Sequence, residues 1–374
     1  MPAPKCTDEE LIEFLKTGTK AGASRHFGID ERGIYRRCKR IALKGFSPEH
    51  DMTRTVPDGF KVKGVSSLYN KDGVLAAQWV KSTADNERRL EMLQEACAAL
   101  SEDLPKVEPR AAVGFFRDDL MACYPIGDPH FGEYIWAEEC GKSWDLAEAE
   151  RVHCGAMRAL VASAPCTKEA TIINLGDAAH YDSMIAVTPR SGHHLDADSR
   201  FGKMVRVLMK TIRQCIEAAL EKHETVRIIN VIGNHDETGA VWLSVALSHI
   251  YANEPRVTVD TSPSVFNYFT FGKCLVGMHH GHTAKADRLA AVMATDRAKE
   301  WGLSDHRYWW TGHIHHESKK EYPGVVVESF NTLAPGDAYA TAGGWRSRER
   351  MSCIVLHREY GEIARHSVHP DMLK

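Results

Sequence analysis

The sequence lacks the marks of membrane, secreted and disulfide-rich proteins. No stretch of its 374 residues approaches the roughly 18 consecutive apolar residues that a membrane-spanning helix requires. The opening stretch MPAPKCTDEELIEF has no apolar core behind a basic start, which argues against a secretory signal. The 10 cysteines are scattered without a C-x-x-C pair, so neither a zinc knuckle nor a disulfide framework is expected. These absences predict a cytoplasmic protein with no membrane partner.

A strong overall charge is also missing. Lys and Arg number 47 against 50 Asp and Glu, which gives a net charge of −3 and no general attraction to nucleic acid. The hydrophobic fraction of 43% is ordinary for a globular chain and is enough for one large domain and a smaller one. Any nucleic-acid binding must therefore come from a local basic patch.

Such a patch lies within residues 1–45, where the pattern predicts three short helices. Thr7 and Glu10 form a capping box, and Gly28 allows a tight turn before a last helix capped by Asp30. One face of that helix is apolar, and the other is basic, with Arg32, Arg36, Arg37, Lys39 and Arg40. This order is typical of a helix-turn-helix, so we predict a DNA-binding module with Arg36 and Arg37 as substrate contacts. Helices that only pack or dimerise are the alternative reading.

The sequence pattern of residues 46–110 predicts a small β-hairpin region followed by a connecting segment. Two strand-like runs are punctuated by Asp58-Gly59 and Asp72-Gly73. A polar helix is expected over Asp85–Leu100, followed by the Pro-containing linker EDLPKVEPR. We place the domain boundary in this linker, so the third domain covers residues 111–374.

The third domain alternates apolar strand-like runs with amphipathic helical patterns. The helices are expected near Asp145–Ala164, Arg200–His223, Ala240–Ala252 and Lys285–Trp301. The strand runs are continuously apolar, and two further runs, VVVESFN and MSCIVLH, follow near the end. This alternation predicts an α/β fold in which a sheet is buried between layers of helices.

Five of the strand runs end in residue types that bind metal ions. The candidates are Asp128 and His130 in GDPH, Asp177 in LGDAAH, Asn234 and His235 in GNHD, His280 in MHHGH, and His313 and His315 in TGHIHH. Ligands in open α/β sheets bind at the carboxyl ends of the strands, so these side chains are expected to converge. Enough donors are present for two divalent ions, and because no thiolate is among them manganese is the first choice, with iron, zinc or magnesium as alternatives.

The ordered set D-x-H, GD, GNHD, H and GHxH resembles the calcineurin-like metallophosphoesterase superfamily over about Leu120 to Val327. The resemblance implies a four-layer α/β/β/α sheet sandwich and attack on a phosphoester by a metal-bridging hydroxide. It also implies that Asp128, His130, Asp177 and His315 hold one ion, while Asp177, Asn234, His280 and His313 hold the other. His235 would stabilise the transition state or protonate the leaving oxygen, with Asp236 orienting its imidazole.

Three more histidines are candidate substrate contacts. His282 lies two residues beyond His280 and is expected to face the same site, whereas His279 should point away and pack. His180 and His194 belong to a long loop after the GD motif, near where substrate must enter, although a solvated polar loop would look the same.

These features predict a metal-dependent phosphodiesterase that acts on DNA, an exonuclease or endonuclease, with DNA as its partner. The motifs resemble those of nuclease subunits in double-strand-break repair, and the layout resembles proteins of phages and prophages, which would place it in a bacterial or phage-infected cell. One rival is a phosphomonoesterase or small-nucleotide phosphodiesterase. Another is a DNA-binding regulator that has lost activity. A homo-oligomer is compatible with each reading.

Overall fold

The computed structural model divides the chain into two compact units, Met1–Ala96 and Cys97–Lys374. The structure describes residues 6–48, 52–53, 56, 60–72, 74–84, 107, 114–189 and 191–373. Within these ranges no helix is long and apolar enough to span a membrane. The predicted helix Asp85–Leu100 and all of the predicted linker except Val107 lie outside the described residues.

The smaller unit begins with the three predicted short helices, α1 (Asp8–Leu15), α2 (Lys20–Phe27) and α3 (Glu31–Leu43). The capping box is confirmed: the Thr7 hydroxyl accepts from the Glu10 amide at 3.1 Å, and the Glu10 carboxylate accepts from the Thr7 amide at 2.8 Å. The predicted apolar face of α3 is also confirmed, since Ile34 and Ile41 are buried and the Cys38 side chain packs against the same cluster.

Four strands follow in the same unit: β1 (Phe46–Ser47), β2 (Met52–Thr53), β3 (Phe60–Tyr69) and β4 (Leu75–Ala84). β1 pairs with β2, and β3 pairs antiparallel with β4 as the predicted hairpin. The Asn70 side chain shapes the hairpin turn by accepting from the amides of Asp72 and Val74 at 3.0 and 2.9 Å. An Asx turn of this kind is a frequent reason for asparagine at a chain reversal.

The larger unit alternates strands and helices. In chain order it contains β5 (Arg117–Ile126), α4 (Ala137–Cys140), α5 (Leu146–Ser163), β6 (Thr167–Asn174), α6 (Phe201–Leu220), β7 (Thr225–Asn230), α7 (Gly239–Ile250), β8 (Val257–Val259), β9 (Asn267–Phe271), β10 (Cys274–Met278), α8 (Ala286–Asp296), α9 (Ala298–Leu303), β11 (His306–Thr311), β12 (Ser318–Tyr322), β13 (Val325–Ser329), α10 (Ala338–Ala342), β14 (Met351–His357) and β15 (Gly361–Val368). A short 3₁₀ turn, Pro370–Met372, closes the described chain.

These strands form two mixed sheets. One has the order β15-β14-β5-β6-β7-β8, with β5 to β8 parallel, and the other has the order β12-β13-β11-β10-β9, with β10, β11 and β13 parallel. The parallel strands occupy the middle of each sheet and antiparallel strands close its edges, except at β8. The residues predicted to bind metal therefore follow central strands, each of which is paired with a neighbour on both sides.

Alternation along each strand produces four layers. In β5, Met121 and Cys123 join a core cluster that contains residues of both sheets, including Trp310 of β11. The intervening Leu120 and Ala122 belong to a second cluster with the apolar faces of α5, α6 and α7. A further cluster joins Leu275, Trp309 and Val327 of the five-stranded sheet to Leu289 and Met293 of α8, which covers the outer face of that sheet. The α/β/β/α sandwich is confirmed.

The predicted helices form with small differences in their ends. The expected helix Lys285–Trp301 is two helices, because the chain leaves helical geometry at Arg297, where φ is −127°. The sequence pattern missed β8, β9, β12 and β15. β12 reads SKKEY and is largely exposed, so its sequence carries no apolar run that would indicate a strand.

Candidate metal centre

The donors predicted from sequence follow the ends of five strands, three in one sheet and two in the other. Asp128 and His130 follow β5, Asp177 follows β6, and Asn234 and His235 follow β7 in the six-stranded sheet. In the five-stranded sheet His280 follows β10, and His313 and His315 follow β11. Because strands of both sheets end at the same place, side chains 185 residues apart in sequence come into contact.

The backbone is strained at five of these residues. Among the described residues, five that are not glycine have a positive φ, and all five are predicted ligands: Asp128 (43°), His130 (41°), Asp177 (52°), His313 (73°) and His315 (55°). Left-handed backbone costs a residue with a Cβ about 1 kcal/mol or more, and it persists where the surrounding structure fixes it. Positive φ at residues other than glycine is therefore confined, within the described part of the chain, to the candidate ligands.

A first group of donors consists of Asp128, His130 and His315, whose ligand atoms all lie within 4.8 Å of one another. The Nε2 atoms of His130 and His315 are 3.2 Å apart, and His315 Nε2 is 3.6 Å from Asp128 Oδ1. His130 reaches this position through its backbone, whose amide donates to the Asp177 carbonyl at 2.9 Å.

A second group consists of Asp177, His280 and His313. His280 Nε2 is 3.0 Å from Asp177 Oδ2 and 3.0 Å from Asn234 Oδ1. The other ring nitrogen of His280, Nδ1, donates to the Leu175 carbonyl at 2.8 Å, which fixes the ring and directs Nε2 at the carboxylate. Asn234 thus joins the second group through its amide oxygen, as the family pattern implies.

Asp177 connects the two groups. Its Oδ2 lies 3.0 Å from His280 Nε2 in the second group and 3.9 Å from His130 Nε2 in the first. Its Oδ1 accepts from the His235 amide at 2.8 Å, which holds the carboxylate in place. The position between both groups is the one expected of a bridging ligand.

The electrostatics of the centre suit divalent cations. Asp128 and Asp177 are 0% and 1% exposed, and burial raises the pKa of Asp128. Burial acts in the same direction on Asp177, but the neighbouring His280 imidazole outweighs it and holds the pKa of Asp177 well below its usual range. Burial lowers the pKa of His130 well below its usual value, so this ring is neutral. The Nε2 atoms of His130 and His315 lie 3.2 Å apart beside the buried Asp128 carboxylate, and such a set of imidazole and carboxylate donors fits a divalent metal ion.

The two carboxylates are aligned by backbone amides. The His313 amide donates to both oxygens of Asp128, at 2.8 and 2.9 Å. The Thr332 hydroxyl donates to the Asp128 carbonyl at 2.7 Å and was missed in the sequence. Its signal was available, because Thr332 follows the apolar run VVVESFN in the same way that the ligands follow theirs.

Glycine is required at position 233. A Cβ there would overlap the Asp177 carboxylate and backbone amide and crowd the Asp236 carboxylate. The close approach lets the segment after β7 reach Asp177 without a side chain in between. This explains why the run INVIGNHD changes from apolar to polar at a glycine.

His235 is held at one edge of the centre. Its Nδ1 donates to the His180 carbonyl at 2.8 Å, and its ring contacts those of His130 and His180 at centroid distances of 4.8 and 5.6 Å. The ring is half-buried, whereas Asp128 and Asp177 are fully buried. Because Nδ1 is fixed as the donor, Nε2 is the ring nitrogen that remains for a substrate oxygen.

The predicted role of Asp236 is wrong. Its carboxylate accepts from the amides of Asp177, Ala178, Ala179 and Gly233 at 2.7 to 3.2 Å and makes no contact with the His235 imidazole. Asp236 is 1% exposed, and four amide donors occupy its oxygens. It therefore positions the Asp177 loop, while a backbone carbonyl orients His235.

The three histidines proposed as substrate contacts lie in different settings. His180 is buried, with its Nδ1 3.2 Å from His130 Nδ1, and it forms a third group of possible metal donors with His130 and His235. His282 is half-buried, stacks on His279 with ring centroids 5.7 Å apart, and lies 5.3 Å from the His280 ring. His194 is exposed and belongs to none of the donor groups found among the described residues. As predicted, His279 packs, here against Phe266.

The two arginines of α3 also differ from each other. Arg36 is exposed. Arg37 donates to the Asp8 carboxylate at 2.5 and 2.9 Å and to the Cys6 carbonyl at 3.1 Å, and only 18% of its side chain is exposed. The prediction that Arg37 contacts DNA is corrected: its guanidinium ties α3 to the start of α1 and has few donors left for phosphate.

No family model and no curated protein matches the chain. Solved structures similar to it include a novel archaeal phosphodiesterase (12% identity, 66% of this chain, 100% of that chain, TM-score 0.31). Others are a predicted phosphoesterase from Streptococcus pneumoniae (11%, 67%, 97%, 0.27) and Vps29 complexed with zinc from Entamoeba histolytica (13%, 67%, 99%, 0.26). TM-scores this low do not assign a function to the chain, so its function is inferred from the candidate metal centre.

Proposed function

We propose that the protein is a metal-dependent phosphoesterase that hydrolyses phosphodiester bonds in DNA. The main support for hydrolysis is the convergence of five strand ends on two buried carboxylates, Asp128 and Asp177, with strained backbone at both of them and at three of the histidines. Strain and buried charge are costly for stability, and they concentrate at sites of chemistry. A purely structural role for this cluster is hard to reconcile with both costs.

The donors divide between two ions. Asp128, His130, Asp177 and His315 would hold one, and Asp177, Asn234, His280 and His313 the other, in line with the two groups that meet at Asp177. Divalent ions bound there would neutralise phosphate charge and supply the nucleophilic water. Oxygen and imidazole donors without thiolate favour manganese, and they are compatible with iron, zinc or magnesium.

His235 supplies the proton chemistry. Its ring is anchored by the hydrogen bond from Nδ1 to the His180 carbonyl, so Nε2 can be held against the leaving-group oxygen. A protonated Nε2 donates to that oxygen as the ester bond breaks, and a neutral leaving alcohol departs more easily than an alkoxide. Asp236 does not contact the substrate in this proposal; it positions the backbone that carries Asp177.

DNA as the substrate is supported by the helical module at the N-terminus, which is the domain proposed for residues 1–45. α3 presents Arg32, Arg36 and Lys39 as exposed cations, and a helix of this kind after a short helix and a turn suits duplex binding. Two observations favour the rival, a phosphomonoesterase or small-nucleotide phosphodiesterase: Arg37 and Arg40 both pair with Asp8, which reduces the charge available to phosphates.

The deciding experiment is a metal-dependent substrate panel. Full-length protein with added manganese should cleave labelled DNA faster than RNA or a chromogenic monoester, and Asp177→Asn should abolish every activity because it weakens both ions. The phosphomonoesterase reading follows if only the monoester is hydrolysed. No hydrolysis of any substrate, with metal shown to be bound, would overturn the proposal and leave the inactive regulator.

A further inference from the structure

The hairpin β3–β4 carries large side chains that a folded protein normally buries. Leu68, Tyr69, Val74 and Trp79 are 46 to 61% exposed. Within the described ranges, no third strand extends this two-stranded sheet. An isolated two-stranded ribbon is marginally stable in water, and exposed apolar surface of this kind usually marks a binding surface.

One face of the hairpin combines an aromatic ring with positive charge. Trp79 and Lys81 are alternate residues of β4 and therefore point to the same side. Across the ladder, Leu68 pairs with Ala77 and Lys61 pairs with Thr83, which places Leu68 and Lys61 on that side too. We call this set, Lys61, Leu68, Trp79 and Lys81, the ribbon face.

The hairpin has an excess of positive charge, which favours a negatively charged partner. Residues 60–84 contain four lysines, all exposed, and a single acidic residue, Asp72. This excess of positive charge disfavours a second copy of the same ribbon and attracts a polyanion. A duplex offers phosphates but keeps its base faces stacked, so it would leave Trp79 without a ring to cover it. A single strand offers both phosphates and free base faces.

We propose that the ribbon face binds a single-stranded nucleic-acid segment, with a base stacked on Trp79 and phosphates next to Lys61 and Lys81. This surface goes beyond the proposed hydrolysis, and it rests on the proposed function only in taking nucleic acid as the partner.

The test measures binding of the full-length protein to a fluorescein-labelled oligothymidylate without divalent metal. Trp79→Ala should weaken binding about tenfold, because stacking of one base is worth roughly 1–3 kcal/mol. Trp79→Phe keeps an aromatic ring and should bind within about threefold of the parent. Lys61→Ala combined with Lys81→Ala should lower the slope of log K against log salt by about 1.4, since each phosphate contact on a single strand contributes roughly 0.7.

Val80→Ala, on the opposite face, is the matched control and should leave binding and salt slope unchanged. Equal affinity of Trp79→Ala and the parent would overturn the proposal, as would a parent dimer that Trp79→Ala converts to a monomer. Failure of the proposed hydrolysis is separate, because ester cleavage should depend on Asp177 and should be unaffected by Trp79→Ala on a small chromogenic substrate.

Discussion

Among single residues, His235 has a proposed catalytic role that can be tested separately from metal binding. Its Nδ1 is occupied by the His180 carbonyl, and Asp177 uses the backbone amide of residue 235 and not the imidazole. His235→Ala should therefore lower kcat by roughly 10²- to 10⁴-fold, the usual contribution of a general acid, while metal content stays the same. Elemental analysis and steady-state kinetics on the same preparation check this.

His249→Ala, an exposed histidine on α7, is the control and should match the parent in both measurements. Loss of metal from His235→Ala would show that the imidazole is a ligand. That outcome would fit the third donor group, in which His235 lies with His130 and His180.

A second residue, His223, should make the free energy of unfolding depend on pH in the acidic range. It is fully buried, its Nε2 lies 2.7 Å from the Tyr124 hydroxyl, and burial lowers the pKa of His223 from 6.5 to about 4. The fold thus favours the neutral ring, so its contribution is complete above pH 6.5 and is lost as the pH falls from 6.5 to about 4. At about 1.4 kcal/mol per pKa unit, the loss is about 3 kcal/mol.

His223→Gln keeps a polar side chain that does not titrate. Urea unfolding at a series of pH values should show that the variant loses about 3 kcal/mol less than the parent between pH 6.5 and 4. A residual acid dependence is expected from His153, another buried histidine whose pKa burial lowers to about 4. Superimposable pH profiles for His223→Gln and the parent would refute this account.

The candidate metal donors could be predicted from sequence because each group of them directly follows an apolar run. Asp128, Asp177 and His280 are the first acidic or imidazole side chains, or nearly so, beyond the end of a strand. The role of Asp236 could not be predicted, because its partners are four backbone amides. Every residue has a backbone amide, so nothing in the sequence marks those that converge on a carboxylate.

For the secondary-structure elements, side-chain caps explain which helix starts were predictable. Thr7, Asp30 and Asp145 each accept a hydrogen bond from the amide three residues on, and each had been expected to begin a helix. The short strand β8 and the polar strand β12 were missed because they are edge strands that bury little. Their pairing depends on the neighbouring strand and not on their own sequence.

In helix α3, we expect substitution of Arg36 to affect DNA binding and substitution of Arg37 to affect stability. Arg36→Ala should weaken binding to duplex DNA and lower the salt slope by about 0.9, the value for one phosphate contact on B-DNA. Arg37→Ala should instead lower the free energy of unfolding of this unit by about 1 kcal/mol, because it breaks the contacts with Asp8 and the Cys6 carbonyl. Fluorescence anisotropy at several salt concentrations and thermal unfolding separate the two effects.

Lys299→Ala, an exposed cation on α9, serves as the control for a general loss of positive charge. If Arg36→Ala leaves the salt slope unchanged, α3 does not contact the phosphate backbone. The helices would then have a packing role, and the DNA-binding reading of residues 1–45 would fail.

For the molecule as a whole, the order of layers could not be derived from hydrophobic periodicity. Both faces of β5 are apolar, and the pattern does not say that Met121 faces a second sheet while Leu120 faces helices. The four-layer arrangement came from the family resemblance, and the buried clusters confirm it. The same arrangement explains the site, since the stacking of the two sheets brings the end of β5 against the end of β11, where the His313 amide donates to the Asp128 carboxylate.

We expect bound metal to stabilise the larger unit. Asp128 and Asp177 are buried, and donors from both sheets surround them, so ions bound there would tie the sheets together. A ligand present at a hundred times its Kd stabilises the folded state by about 2.7 kcal/mol per site. Adding manganese to chelator-treated protein should therefore raise the midpoint of thermal unfolding by several degrees. Asp177→Asn should lose most of the increase, and His249→Ala should keep all of it. If the midpoint does not move in the parent, the donors do not hold metal in the folded state, and the backbone strain after β5, β6 and β11 would need another cause.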